Sequence, residues 1–148
     1  MIREARPKDI PAICALGRES LEVNDPYETL RISDKKIAAT TLEVVSGPAH
    51  FAWVHENEDG EVDAAVCAIT HEIMFHERKQ ASVLLFYSRN PGRGAGGLLI
   101  KKLVEWWKSR RGIKMLVFTL EHGTDPKISS YLKKLGLDKE LPTILGVK

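Results

Sequence analysis

The chain has 148 residues, 43% of them hydrophobic, and carries 22 Lys and Arg against 20 Asp and Glu for a net charge of +2. That is enough chain to bury a core, so residues 1–148 are read as one domain, and too little net charge to argue for a nucleic-acid partner. No apolar run approaches the roughly 18 residues that cross a bilayer, no leader pattern opens the chain, and two cysteines make no disulfide framework; a cytoplasmic protein with no membrane partner is the expectation.

Ile2 to Ala5 is short enough for a first or edge strand. Pro7-Lys8-Asp9 opens a helix whose apolar face is Ile10, Ile13, Cys14 and Leu16, with Pro11 tolerable only in its first turn. Asn24-Asp25-Pro26-Tyr27 is turn chemistry, and Ser33-Asp34 is an N-cap for a second helix over Lys35 to Val45, closed by Gly47-Pro48. His50 to His55 alternates apolar and polar residues, Asn57 to Gly60 makes a hairpin turn, and Val62 to Thr70 returns as a mostly apolar strand. Cys14 and Cys67, on apolar faces, read as small buried residues.

His71-Glu72-Ile73-Met74-Phe75-His76 invites a zinc reading, which the spacing defeats. A metalloprotease helix needs histidines at i and i+4, whereas a spacing of five turns them about 140° apart on a helix and to opposite faces of a strand. The segment is read as a connection between strands, with no metal.

The most informative stretch follows. Val83 to Tyr87 is an apolar strand that breaks at Asn90-Pro91 and passes through Gly92, Gly94, Gly96 and Gly97. A helical period then begins, with Leu99, Leu103, Trp106 and Trp107 on one face. A strand, a glycine turn and a helix N-terminus together hold phosphate: the first N–H groups of the helix lack partners, the dipole is positive there, and glycine lets a ligand approach the backbone. A P-loop is excluded because no Lys-Ser or Lys-Thr follows the glycines. A dinucleotide fingerprint fits Gly92-x-Gly94-x-x-Gly97 literally, with Glu121 as the acidic residue. Its place in the chain argues against it, since only 27 residues follow Glu121 and the preceding segments read as an antiparallel hairpin. Beyond the helix, Gly112 ends it, Ile113 to Leu120 is a strand, and Asp125-Pro126 caps a last helix with Ile128, Tyr131, Leu132 and Leu135 inward. Thr143 to Val147 reads as a final strand.

Gly94-Ala95-Gly96 followed by Gly97-Leu98-Leu99-Ile100 resembles motif A of the GNAT acetyltransferases, [Q/R]-x-x-G-x-[G/A], continued as G-x-G-x-x-L-L with Leu99-Ile100 at the paired positions. The opening MIREARPKDIPAICAL is similar to the family's first strand and helix, and SYLKKLGL to its closing helix, so nearly the whole chain is covered in order. The resemblance implies an α+β (mixed α/β) GNAT fold, with a mostly antiparallel twisted sheet splayed between its fourth and fifth strands and about four helices around it. It implies acetyl-CoA as cosubstrate and a primary amine, on a small molecule or a protein, as acceptor. The pyrophosphate would meet the backbone of Arg93, Gly94, Ala95, Gly96 and Gly97, and Leu84 and Phe86 would offer backbone partners to pantetheine. Gly96→Val is expected to block the phosphate without unfolding the chain.

This sequence departs from the family at three places. Pro91 stands at the [Q/R] position, leaving Arg89 or Arg93 to meet the pyrophosphate. Asp125 replaces the usual Asn at the head of the last helix. Leu132 replaces the Tyr that often protonates the thiolate, which makes Tyr131 its substitute. No carboxylate lies between Ala81 and Arg89, so the base is sought at strand ends: Glu72 first, with His71, Glu77 and His122. Tyr27 and Glu28 border the expected acceptor pocket. The family usually finishes with two strands, so either this end is shortened or the partner subunit of a homodimer completes the sheet. The alternative is a catalytically weak GNAT-fold module that binds CoA or a protein.

Overall fold

The structure is a computed structural model and describes residues 1–24, 30–121 and 124–148. Its strands are β1 (Ile2–Glu4), β2 (Phe51–Glu56), β3 (Val62–Glu72), β4 (Lys79–Ser88) and β5 (Ile113–Val117). Its helices are α1 (Ile10–Asn24), entered through a 3-10 turn at Pro7–Asp9, α2 (Asp34–Ser46), α3 (Ala95–Ser109) and α4 (Pro126–Lys134). The five strands lie in sequence order in one sheet; every neighbouring pair is antiparallel except β4 and β5, which are parallel. Tyr27, Glu28 and His122 lie outside the described residues. No helix among the described residues is long and apolar enough to cross a membrane.

β3 explains the layering. Its residues are apolar in both parities, so alternation sends Ala65 and Cys67 to one face and Ala64, Val66 and Ala68 to the other. On the first face they meet Ile13 and Leu16 of α1 and Val44 of α2. On the second they meet Leu99 and Leu103 of α3, with Phe51, Trp53 and Trp106 beside them. The inward period expected of α3 holds for Leu99, Leu103 and Trp106. Trp107 turns instead toward α4, where Ile100, Val104 and Leu132 form a third cluster.

The caps follow the expected chemistry. Ser33 Oγ accepts from the Lys36 N–H at 3.2 Å, and Asp125 Oδ1 from the Lys127 N–H at 2.9 Å. The start of α1 is held differently. Arg3 donates to both Asp9 oxygens (2.7 and 3.0 Å) and through Nε to Glu56 (2.8 Å), while the Arg6 N–H donates to Asp9 Oδ2 (2.8 Å). One buried carboxylate therefore ties α1 to β1 and, through Arg3, to β2.

Two expectations require correction. β3 runs on through His71 and Glu72, so the connection to β4 is only residues 73–78, closed by the Ile73 N–H donating to Arg78 O at 2.8 Å. Thr143 to Val147 forms no strand; Ile144 is 99% exposed and pairs with nothing in the sheet. The segment has the apolar composition of a strand but pairs with neither edge of the sheet, so its backbone gains no ladder.

Candidate active site

The glycine turn links the end of β4 to α3. Gly92 and Gly94 adopt φ values of +88° and +84°, a left-handed backbone that costs an L-residue about 1–2 kcal/mol. Gly94 is the N-cap of α3, no side chain caps it, and the first intrahelical bond is the Leu98 N–H to Gly94 O at 3.1 Å. The N–H groups of Ala95, Gly96 and Gly97 therefore stand at the positive helix end without helical acceptors. The glycines differ in role. A Cβ at Gly97 would meet nothing within 4 Å, whereas one at Gly96 would lie 3.1 Å from Phe86 Cζ. Gly96 thus lets α3 sit close to the Phe86 ring on β4, so the expectation that Gly96→Val reports cleanly on phosphate binding is corrected: that substitution also crowds Phe86. Arg93 is exposed and forms no hydrogen bond or ion pair with the described residues.

Along β4 the sheet opens. β4 pairs with β5 only from Lys79 to Ser82, so from Val83 onward it has β3 on one side and, among the described residues, no strand on the other. The Arg89 N–H donates to Asp63 O at 2.9 Å, and strand alternation then turns the N–H and C=O of Tyr87 toward β3 and those of Phe86 into the gap. Leu84 is the extra residue of a β-bulge: Cys67 pairs with Leu85 and Ala68 with Val83. The bulge reverses the side-chain alternation. Val83 packs on the α3 face, Leu85 and Tyr87 on the α1–α2 face, although all three have the same parity.

On the α1–α2 face beside the bulge lies a cavity of about 270 Å³. Its walls include Ile13, Ile37, Val44, Cys67, Leu84 and Leu85, and Lys36, Thr40 and Thr41 of α2 supply its polar groups. Burial pushes the Cys67 thiol up to about 12, so it is a neutral wall and no nucleophile. Another cavity of about 230 Å³, between His50, Trp53, Trp106 and Arg110, is about 16 Å down α3 from the glycine turn.

The turn is braced by a network that the sequence reading missed. Asp63 Oδ1 pairs with His55 Nδ1 at 2.6 Å, and its Oδ2 accepts from Asn90 Nδ2 at 3.2 Å. Burial alone would raise the Asp63 carboxyl, but the hydrogen bonds from His55 and Asn90 outweigh it and hold the group below its ordinary value. The signal was present: Asp63 is a charged residue inside an apolar strand. Arg89 is claimed from the other side by Glu19 of α1, with Nε at 2.9 Å and Nη2 at 2.6 Å from its oxygens. Of the two arginines expected near a phosphate, Arg93 is the one with its guanidinium uncommitted.

The two catalytic candidates fall apart in space. Glu72 is opposite Lys79 at the far end of the hairpin. Five residues of strand, about 16 Å, separate that position from the bulge, so Glu72 is beyond direct reach of a group bound there. Leu132 is buried against α3, and Tyr131 packs on the same cluster with no hydrogen bond from its hydroxyl to a described residue. Asp125 spends one oxygen on its own helix cap. Given a thiol's ordinary pKa near 8.5, a thiolate needs little help to protonate at neutral pH. Tyr131→Phe should therefore lower kcat/KM less than about tenfold, against the 10²–10⁴ of a true general acid. Steady-state kinetics on the variant read this, and a loss beyond a hundredfold with intact CoA binding would make Tyr131 the acid.

A sheet parted beside a bulged strand, with an uncapped helix N-terminus at its open end, is the arrangement of the GNAT fold that the sequence resemblance implied. Comparison with solved structures agrees. A protein from Clostridium acetobutylicum described as a predicted acetyltransferase, solved with acetyl-CoA, superposes with a TM-score of 0.76 at 16% identity, over 100% of this chain and 95% of that one. A candidate acetyl transferase from Pyrococcus furiosus gives 0.69 at 23% identity, over 100% and 97%. Glucosamine-6-phosphate N-acetyltransferase from Arabidopsis thaliana gives 0.67 at 18%, over 99% and 96%. Neither a protein-family model nor a curated protein matches the sequence itself.

Proposed function

We propose that this protein is a GNAT N-acetyltransferase that moves the acetyl group of acetyl-CoA to a primary amine by direct attack on the thioester. The observation that carries the reading is the open side of β4, with Phe86 N–H and C=O facing the gap and the free N–H groups of Ala95, Gly96 and Gly97 at its end. In this reading the pyrophosphate lies on those N–H groups with Arg93 beside it, and the pantetheine amides pair with the β4 backbone. The thioester reaches the bulge at Leu84, where a backbone N–H stabilises the tetrahedral oxyanion.

The cavity bounds the acceptor. An engineered apolar cavity of about 150 Å³ accepts benzene, so one of about 270 Å³ admits an arylalkyl or medium alkyl group. An amine with an apolar body fits these walls, with Lys36 able to meet an acidic or polar end. A cytoplasmic location and a homodimer belong to the same reading, a second copy covering the unpaired outer edge of β5 and the exposed Ile144. A monomer at every concentration in sedimentation would remove the dimer.

Calorimetry with CoA, followed by mass spectrometry of an amine panel incubated with acetyl-CoA, tests the function. Tight CoA binding and a mass gain on an arylalkylamine are expected. NADH binding more tightly than CoA would instead revive the dinucleotide reading, and CoA binding with no amine acetylated would leave a binding module.

A further inference from the structure

Transfer to an amine needs a proton acceptor, and the strand beside the bulge contains no carboxylate. A different group occupies that neighbourhood. His71 of β3 pairs across the ladder with Gln80, and Ile69 with Ser82, so His71, Gln80 and Ser82 share one face of the sheet. It is the α1–α2 face, because Ile69 packs on the same cluster as Cys67 and Leu85, which line the acceptor cavity. Ser82 also makes the last β4–β5 pair, with Val117, and so marks the point where the strands part. It precedes the bulge residue Leu84 by two positions, about 7 Å.

The hydrogen bonds set the state of the ring. His71 Nδ1 lies 3.1 Å from Glu72 O. A carbonyl only accepts, so Nδ1 carries the proton and Nε2 presents a lone pair. That lone pair faces two donors, Ser82 Oγ at 2.9 Å and Gln80 Nε2 at 3.3 Å. Gln80 Nε2 also donates to Ser82 Oγ at 3.1 Å, which turns the hydroxyl proton toward His71. On this face the other neighbours are Ile69, Met115 and Val117, none of which titrates. Ionisable groups near it along the strands are Glu72, Lys79 and Lys114, and the elements that cover this face bring Cys14, Arg18, Glu19 and Glu22 on α1 and Asp34, Lys35, Lys36 and Glu43 on α2. None of them forms an ion pair with the ring, and Glu19 is already held by Arg89.

We infer that His71 is the proton acceptor of the transfer, acting through the Ser82 hydroxyl, a role that rests on the acetyl-transfer reading above. The acceptor arrives as an ammonium. One proton passes by way of Ser82 to His71 Nε2, leaving a neutral amine. The amine electron pair forms the C–N bond to the thioester carbonyl carbon, the C–S bond breaks, and the thiolate leaves with its pair and takes the second nitrogen proton. The products are the amide, CoA thiol and a protonated His71 that discharges to solvent. Ser82 is not acetylated in this sequence; it relays the proton.

Two measurements test it. Nitrogen NMR of the imidazole rings in the ligand-free protein should find the neutral His71 ring protonated on Nδ1; a proton on Nε2 overturns the relay whatever the activity. Thiol release from acetyl-CoA with 2-phenylethylamine then gives kinetics across pH. His71→Gln should lower kcat about a hundredfold at neutral pH, leave KM for acetyl-CoA unchanged and abolish the acid limb of kcat. Ser82→Ala should lose at least tenfold and Ser82→Thr, which keeps a hydroxyl, should recover most of it. Wild-type turnover whose pH profile survives in His71→Gln overturns the relay and leaves the transferase intact. Failure of the wild type to bind acetyl-CoA overturns the transferase reading and the relay with it.

Discussion

Gly97→Asp should leave the protein folded at an equal or higher Tm while weakening CoA at least thirtyfold, about 2 kcal/mol. The two halves of that expectation come from separate physics. A Cβ at Gly97 meets nothing within 4 Å, so the side chain adds no clash. Gly97 is the third residue of α3, where an acidic side chain meets the positive helix end favourably and where glycine is a poor helix former by about 1 kcal/mol. The same carboxylate then occupies the field and the N–H groups that the pyrophosphate needs. Gly97→Asn, of equal size without the charge, should lose much less. Thermal melts beside calorimetry read both sides, and an unchanged CoA affinity in folded Gly97→Asp would remove the phosphate from this turn. Gly96 cannot serve for this test, because its packing on Phe86 couples binding to the seating of α3.

Asp9→Ala is expected to cost about 3 kcal/mol, a Tm fall of roughly 6–12 °C for a chain of this size. The side chain of Asp9 is 5% exposed and that of Arg3 is 15% exposed, so removing the carboxylate leaves a guanidinium with only Glu56 and the Glu4 carbonyl, and it also frees the Arg6 N–H. The hydrogen bond from Arg3 holds the Asp9 carboxyl below its ordinary range, outweighing the upward push of burial. The sign follows from that direction. A carboxyl depressed in the folded state contributes fully above its unfolded pKa of about 3.9, and the contribution is lost as pH falls through the folded value. Wild-type Tm should therefore drop steeply below about pH 4, and part of that drop should vanish in Asp9→Asn. Urea melts across pH read it; a cost under about 1 kcal/mol in Asp9→Ala would mean that water replaces the pair. The consequence reaches the site, since α1, pinned at its start by Asp9, supplies Ile13 to the cavity and Glu19 to Arg89.

What was readable from the sequence is what local chemistry controls. The glycine run after an apolar strand, the Ser33 and Asp125 caps and the inward period of Leu99 and Leu103 each depend on residues within a turn or two. Their order along the chain was enough to place the fold. What only the tertiary structure decided involves partners distant in sequence. The role of Gly96 depends on Phe86 across the helix–sheet contact, and the commitment of Arg89 on Glu19, 70 residues away. Whether residues 143–147 pair with an edge of the sheet is decided by contacts distant in sequence, and they pair with none, which no propensity reveals. The bulge at Leu84 belongs to the register between two strands and leaves no mark in either one alone. That register moved Glu72 out of reach of the bulge and put His71 and Ser82 on the face of the cavity.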